Sequence, residues 1–242
     1  MRICLLLLCI CTTLPLLAQR SEEWKRQHDR GTRYEGTYTR QVGNPDLELV
    51  SLSAGITPYT FRKGMMLKAR FHSPASLRCT LHAEDLSGTQ FYWWEDKQTQ
   101  AAPGWNLSPA DWPVDFLLDD LHLLVSNLGI SAAVAGSERK YLPVQVFTGS
   151  VPPPIERYSA VLRLGRSSAG GSYQIYKGES RSGTPVLKGT ITARSGGGLI
   201  SLGMPAASFP APGWYLAEIS LKEQGTLDPF SYSFRFYVPP RP

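Results

Sequence analysis

From Leu47 onward the chain consists of short runs in which apolar and polar side chains alternate, each closed by Ser-Pro, Gly, Pro or Asp. Alternation with a period of two sends successive side chains to opposite faces of an extended strand. It therefore calls for sheets with a buried face and excludes long amphipathic helices. The runs are 47–53, 66–72, 77–83, 90–94, 114–118, 129–134, 141–147, 159–164, 172–177, 186–194, 199–204, 213–221 and 231–238. Turn signals about every 8–12 residues predict an antiparallel sandwich, not strands alternating with helices. The 22 Gly and 19 Pro supply the turns such a fold needs. In the first run, strict alternation sets Leu47, Leu49, Ser51 and Ser53 against Glu48, Val50 and Leu52, which predicts a strand largely apolar on both faces. The stretch from Arg194 to Gly198, with three consecutive Gly, predicts a hairpin turn.

The best internal boundary is Thr148–Ile155, which contains Pro152, Pro153 and Pro154. Three prolines in a row supply no ladder N–H groups and favour a stiff, extended path. The pattern restarts after them. Residues 66–83 correspond to 158–177, and 127–147 to 212–237, at an offset of one sandwich domain. The expected organisation is a signal peptide at 1–18, a polar leader at 19–45, a β-sandwich at 46–148, a Pro-rich linker at 149–155 and a second β-sandwich at 156–242. The fold class is all-β, with two antiparallel sandwiches in tandem. This layout resembles the tandem immunoglobulin-like or fibronectin-III-like domains of secreted bacterial proteins. The resemblance is one of fold alone, since the Cys…Trp…Cys mark of antibody domains is absent.

Export is expected from the N-terminus. Met1 and Arg2 precede an apolar run from Ile3 to Leu17, then Ala18 and a polar stretch, which is the layout of a secretory signal peptide. Retention as an anchor is the alternative. No other run is long and apolar enough to span a bilayer, so no membrane span is expected after cleavage, and the localisation is secreted or periplasmic, at the cell envelope. Removal of 1–18 takes away Cys4, Cys9 and Cys11 and leaves Cys79 alone. Without a partner for a disulfide, stability has to come from the core, and Cys79, in an alternating run, is expected to act as a small buried hydrophobe.

Charge divides at the same boundary. Residues 46–150 carry eight Lys/Arg against eleven Asp/Glu, and residues 151–242 carry ten against five. Opposite signs across a short stiff linker favour contact between the halves. The basic residues are dispersed and no nucleic-acid motif is present, so no nucleic-acid partner is expected.

Segment 91–122 gathers four of the six Trp among acids: Trp93, Trp94, Glu95, Asp96, Trp105 and Trp112, followed by Asp115, Asp119, Asp120 and His122. Aromatic faces beside carboxylates suit sugar rings, which stack through C–H faces and bond through hydroxyls. The competing role is packing, with Trp105 and Trp112 pinning a long loop at 97–113 to the sheet. Trp93, Trp94, Trp105, Trp112, Glu95 and Asp96 are the candidate ligand-binding residues. The acids of this segment offer no distinctive pair for glycoside hydrolysis and no EF-hand spacing. His28, His72, His82 and His122 form no zinc motif, and no nucleophile–base pair or phosphate loop is present. No catalytic residue, metal or cofactor is therefore expected. The expected function is a non-catalytic interaction or adhesion module that binds a protein or glycan at the cell envelope. A structural spacer, and a carbohydrate-active enzyme using the carboxylates near the Trp cluster, are the alternatives.

Overall fold

Each alternating run that reaches the described residues overlaps a strand. A computed structural model describes residues 32–35, 47–55, 59–60, 66–85, 93–96, 99–107, 112–113, 127–137, 139–226 and 229–241. The signal peptide, most of the leader, the run at 114–118 and the acids Asp111, Asp115, Asp119 and Asp120 lie outside the described residues. The strands are β1 (Thr32–Glu35), β2 (Leu47–Ala54), β3 (Tyr59–Thr60), β4 (Met66–Ser73), β5 (Leu77–Asp85), β6 (Trp93–Asp96), β7 (Thr99–Ala101), β8 (Gly104–Leu107), β9 (Trp112–Pro113), β10 (Asn127–Val134), β11 (Lys140–Phe147), β12 (Arg157–Leu164), β13 (Ser168–Lys177), β14 (Leu187–Ile191), β15 (Gly198–Pro205), β16 (Gly213–Glu223) and β17 (Pro229–Val238). The fold is all-β, and among the described residues the one helical piece is a 3-10 turn at Ala206–Ser208.

The strands join into one large mixed sheet. Its pairings are antiparallel except at β11, which runs parallel to β17 and to β2. β11 also bends from one layer to another. Its residues Tyr141–Pro143 pair with β10, and Val144–Phe147 pair with β4. One layer then continues through β17, β16, β13 and β14, and the other holds β4, β8, β2, β12 and β15. The two halves repeat part of this topology: β5–β10–β11 and β13–β16–β17 are both runs of three antiparallel neighbours.

Among the described residues, two large buried clusters and the small pair Val50 and Val161 form the core. Ala69, Phe71, Cys79, Leu81, Ala101, Ile130, Ala132, Leu142 and Val144 make one. The larger one fills the space between β12–β15 and β13–β14–β16–β17, and it includes Phe234, Phe236, Tyr215 and Leu162. Leu47, Leu49, Leu52 and Ala54 of β2 also lie in this larger cluster, although they precede the linker by about a hundred residues. β2 reaches it by pairing along β12 from Leu47↔Leu164 to Ala54↔Tyr158.

Strict alternation does not describe β2. Val161 pairs with Ser51 and Leu162 with Leu49, so Val50 has no opposite residue and forms a β-bulge. The bulge resets the phase. Leu47 and Leu49 face the larger core before it, and Leu52 and Ala54 face the same core after it. On the other face Val50 meets Val161 and Leu199, and Ser51 Oγ donates to the Ile130 carbonyl of β10 at 3.3 Å.

The turn at Arg194–Gly198 also differs from its expected form. It is not a hairpin: β14 pairs with β13 and β15 with β12, so this stretch carries the chain from one layer to the other. Gly196, at φ +73°, takes the left-handed conformation the crossing needs.

Each fully buried Leu contributes about 1.5–3 kcal/mol, and a whole domain is stable by only about 5–15 kcal/mol. The three leucines of β2 therefore contribute on the scale of the second half's whole stability. Residues 156–242 expressed alone are expected to melt without a cooperative transition, whereas 46–242 unfolds cooperatively when followed by circular dichroism. A sharp, reversible transition in 156–242 alone would show that this core closes without β2.

Candidate functional site

Strand β4 shows how one side chain pattern serves both core and surface. Ala69 and Phe71 point inward and are buried, while Arg70 and His72 point to the other face. β8 lies alongside with His72 opposite Trp105 and Arg70 opposite Leu107. The turn leading into β8 is fixed by Asn106, whose Oδ1 accepts from Ala102 N–H at 3.0 Å. Its Nδ2 donates to the Ala102 carbonyl at 2.9 Å and the Gly104 carbonyl at 3.0 Å. Gly104, at φ +99°, allows that turn. The outcome is a fixed Trp105 that is 40% exposed.

A line of aromatic and cationic groups continues from Trp105 in both directions. The Arg70 guanidinium carbon lies 4.1 Å from the Trp105 ring centroid, and Arg70 Nε donates to Gln145 Oε1 at 2.7 Å. Gln145 Nε2 in turn donates to the Pro153 carbonyl of the linker at 2.7 Å. On the other side, His72 meets Trp105 edge-on at 5.3 Å and stacks on Tyr237 at 5.6 Å. Tyr237 contacts Trp214 at 5.5 Å, and Lys140 Nζ sits 5.2 Å from the Trp214 ring. Trp214 and Tyr237 pack against the smaller core cluster, so this seam joins the two halves.

His72 is confined within it. Its Nδ1 is buried with no hydrogen-bond partner among the described residues, and desolvation lowers its pKa below the ordinary histidine value. Cys79 is fully buried, its Sγ lying 3.7 Å from the Thr99 carbonyl, and burial pushes its thiol up to about 11.

A groove of about 450 Å³ opens on the outer face of β13, β16 and β17. Pairing aligns Ser172, Ser220 and Ser231 in one row across its floor, and Gln174, Glu218 and Ser233 in the next. Arg139, from the connection between β10 and β11, and Arg181 also line it. Arg181 Nε lies 3.8 Å from Glu218 Oε2. Their segments are fastened through Arg235, whose N–H donates to the Arg139 carbonyl at 2.6 Å and whose Nε donates to the Glu179 carbonyl at 2.8 Å. Lys140 pairs with Glu179 at 2.5 Å across the same junction.

The structure does not bring the six sequence candidates onto one strand. Trp93, Trp94, Glu95 and Asp96 occupy β6, between β1 and β5. Trp105 and Trp112 lie instead along β4, opposite His72 and Leu67. Of the six side chains, that of Trp105 is within the described residues. The expected loop at 97–113 contains β7 and β8 as paired strands. Arg70, His72, Tyr237, Trp214, Arg139 and the serine rows escaped the sequence reading because only cross-strand register assembles them. Among the described residues no three His, Cys, Asp or Glu side chains gather in a metal-binding arrangement. No protein-family model matches the chain, and no curated protein matches it.

Two outcomes follow from burial. Thiol reagents at pH 8 are expected to leave Cys79 unlabelled in the folded protein and to label it after denaturation, as read by peptide mapping. For His72, the unfolded chain takes up a proton near pH 6.5, while the folded site, with its lowered pKa, resists one. Unfolding therefore gains protons as pH falls through and below that value, and stability is lost in that window. The melting temperature of the wild type is expected to drop more between pH 7.5 and pH 5.5 than that of His72→Phe. An equal drop would remove His72 from the acid response.

Proposed function

We propose that the chain is a secreted, non-catalytic interaction module of two immunoglobulin-like sandwiches in tandem, and that it binds a glycan or a protein surface at the cell envelope. The observation carrying this reading is Trp105, a large aromatic left 40% exposed while its neighbours hold it rigid. A side chain with no role beyond packing gains by full burial. An exposed ring fixed by an Asn-pinned turn and flanked by a guanidinium is preorganised for contact, so binding it costs little ordering entropy. Flat aromatic rings offer the stacking surface that sugar C–H faces use, and Trp and Arg are also enriched among the residues that carry most of the binding energy in protein contacts. The recurrence of three antiparallel neighbours in each half supports the tandem reading. A spacer that only holds a partner at a distance is the second reading, favoured by the closed seam at His72, Tyr237 and Trp214.

Titration with a glycan panel and with envelope extracts, followed by tryptophan fluorescence, tests the proposal. A saturable change that Trp105→Ala weakens by about 2 kcal/mol or more is expected. If Trp105→Ala binds every responding ligand as well as the wild type does, the Trp105 surface is not the site.

A further inference from the structure

The geometry points to a second binding site, independent of Trp105: the groove over β13, β16 and β17 takes a hydroxyl-rich ligand bearing a carboxylate, of the kind a uronic acid unit of a polysaccharide presents. The groove lies on the second half with Arg139 of the first half at its margin, and its volume of about 450 Å³ falls within the range of ligand sites.

Its floor offers hydroxyls in order. Ser172, Ser220 and Ser231 sit opposite one another across three strands, and neighbouring strands are about 4.8 Å apart. Thr190 extends the same row onto β14, opposite Ser172. Each hydroxyl both donates and accepts, as a sugar hydroxyl does, so the row is complementary to a polyol. In the next row Gln174 Oε1 already accepts from the Tyr176 hydroxyl, which leaves the Gln174 NH₂ as a donor. Glu218 supplies an acceptor and is partly neutralised by Arg181 at 3.8 Å.

Charge selects the acid. Arg139 and Arg181 both line the groove against one lining carboxylate, that of Glu218, which lies 3.8 Å from Arg181, and Lys188 stands opposite Gln174 at the β14 end. A planar guanidinium binds a carboxylate through paired N–H donors. β13 and β16, which carry Ser172, Gln174, Glu218 and Ser220, are each paired on both sides, so the floor of the groove presents side chains and not a strand edge to a ligand. Arg139 is held in place by its own carbonyl's bond to Arg235, and its side chain is exposed, so removing it leaves the framework intact.

The test is a titration of the ¹⁵N-labelled full chain with trigalacturonic acid, its methyl ester and sodium acetate. The acid is expected to give saturable shifts at Ser172, Gln174, Glu218, Ser220, Ser231 and Ser233. The ester, identical in hydroxyls and without charge, binds at least tenfold more weakly, and acetate gives no saturable shift. Arg139→Ala and Arg181→Ala each weaken the acid roughly ten- to a hundredfold, and Trp105→Ala leaves this titration unchanged, so the groove and the Trp105 surface fail or succeed separately. Absence of saturable shifts at the groove overturns the proposal. So does equal binding of acid and ester, matching behaviour of acetate, or indifference to both arginine substitutions.

Discussion

The ladder between β2 and β12 is the constraint on which the rest of the molecule depends. It carries a strand from before the linker into the core that follows it, and it runs from Leu47↔Leu164 to Ala54↔Tyr158. Once those bonds and the four inward side chains are in place, Pro152–Pro154 has no freedom to act as a hinge, whatever its intrinsic stiffness. The charge contrast between the halves contributes little by comparison. Arg163 and Glu48 approach to 3.7 Å across this ladder, but the Lys140–Glu179 pair has its cation on the acidic half. Ion pairs that are even partly exposed contribute at most about 1 kcal/mol, whereas each buried Leu of β2 contributes about 1.5–3 kcal/mol. Apolar burial, and not charge, sets how the halves meet.

Much of the strand content was legible because alternation is a local property. The run Met66–His72 became β4, Tyr141–Phe147 lies within β11, and Ser231–Val238 lies within β17. Register was not legible. In β2 the bulge at Val50 moves Leu52 and Ala54 onto the face that Leu47 and Leu49 already occupy, and nothing in residues 47–54 alone announces it. The bulge exists because both faces of β2 are covered, so a change of phase costs no exposed leucine. Arg194–Gly198 failed as a hairpin for a related reason: glycines permit a sharp turn, but whether the next strand pairs with the last or crosses to the other layer depends on which layer has a vacant edge.

The candidate site was legible in part. Trp105 was a candidate as one of four Trp gathered among acids, and the structure leaves it 40% exposed. Its setting was hidden, since Arg70 and His72 lie over thirty residues earlier in the chain and Tyr237 over a hundred later. Trp93 and Trp94, neighbours in the sequence, belong to a strand on the other layer. Density of Trp along the chain is therefore a poor guide to proximity in a fold where each turn can send the chain to a different layer.

The outer face of β16 and β17 shows how position decides residue type. Tyr215, Ala217, Ile219 and Leu221 face the core throughout. Their alternates change in steps along the strand. Trp214 and Tyr237 come first, where the first half rests on the sheet and aromatic surface is covered. Leu216 and Arg235 follow, opposite Tyr176, beneath the segment whose Glu179 carbonyl Arg235 holds. Glu218 and Ser233 come next, then Ser220 and Ser231, where the groove opens. A sheet face that stayed apolar along this length would expose a patch prone to association. One that stayed polar would lose the contact of Trp214 and Tyr237 with the smaller core cluster. The gradient from Trp214 to Ser220 satisfies both requirements within seven residues, and it is what places a hydroxyl-lined groove directly beside the junction.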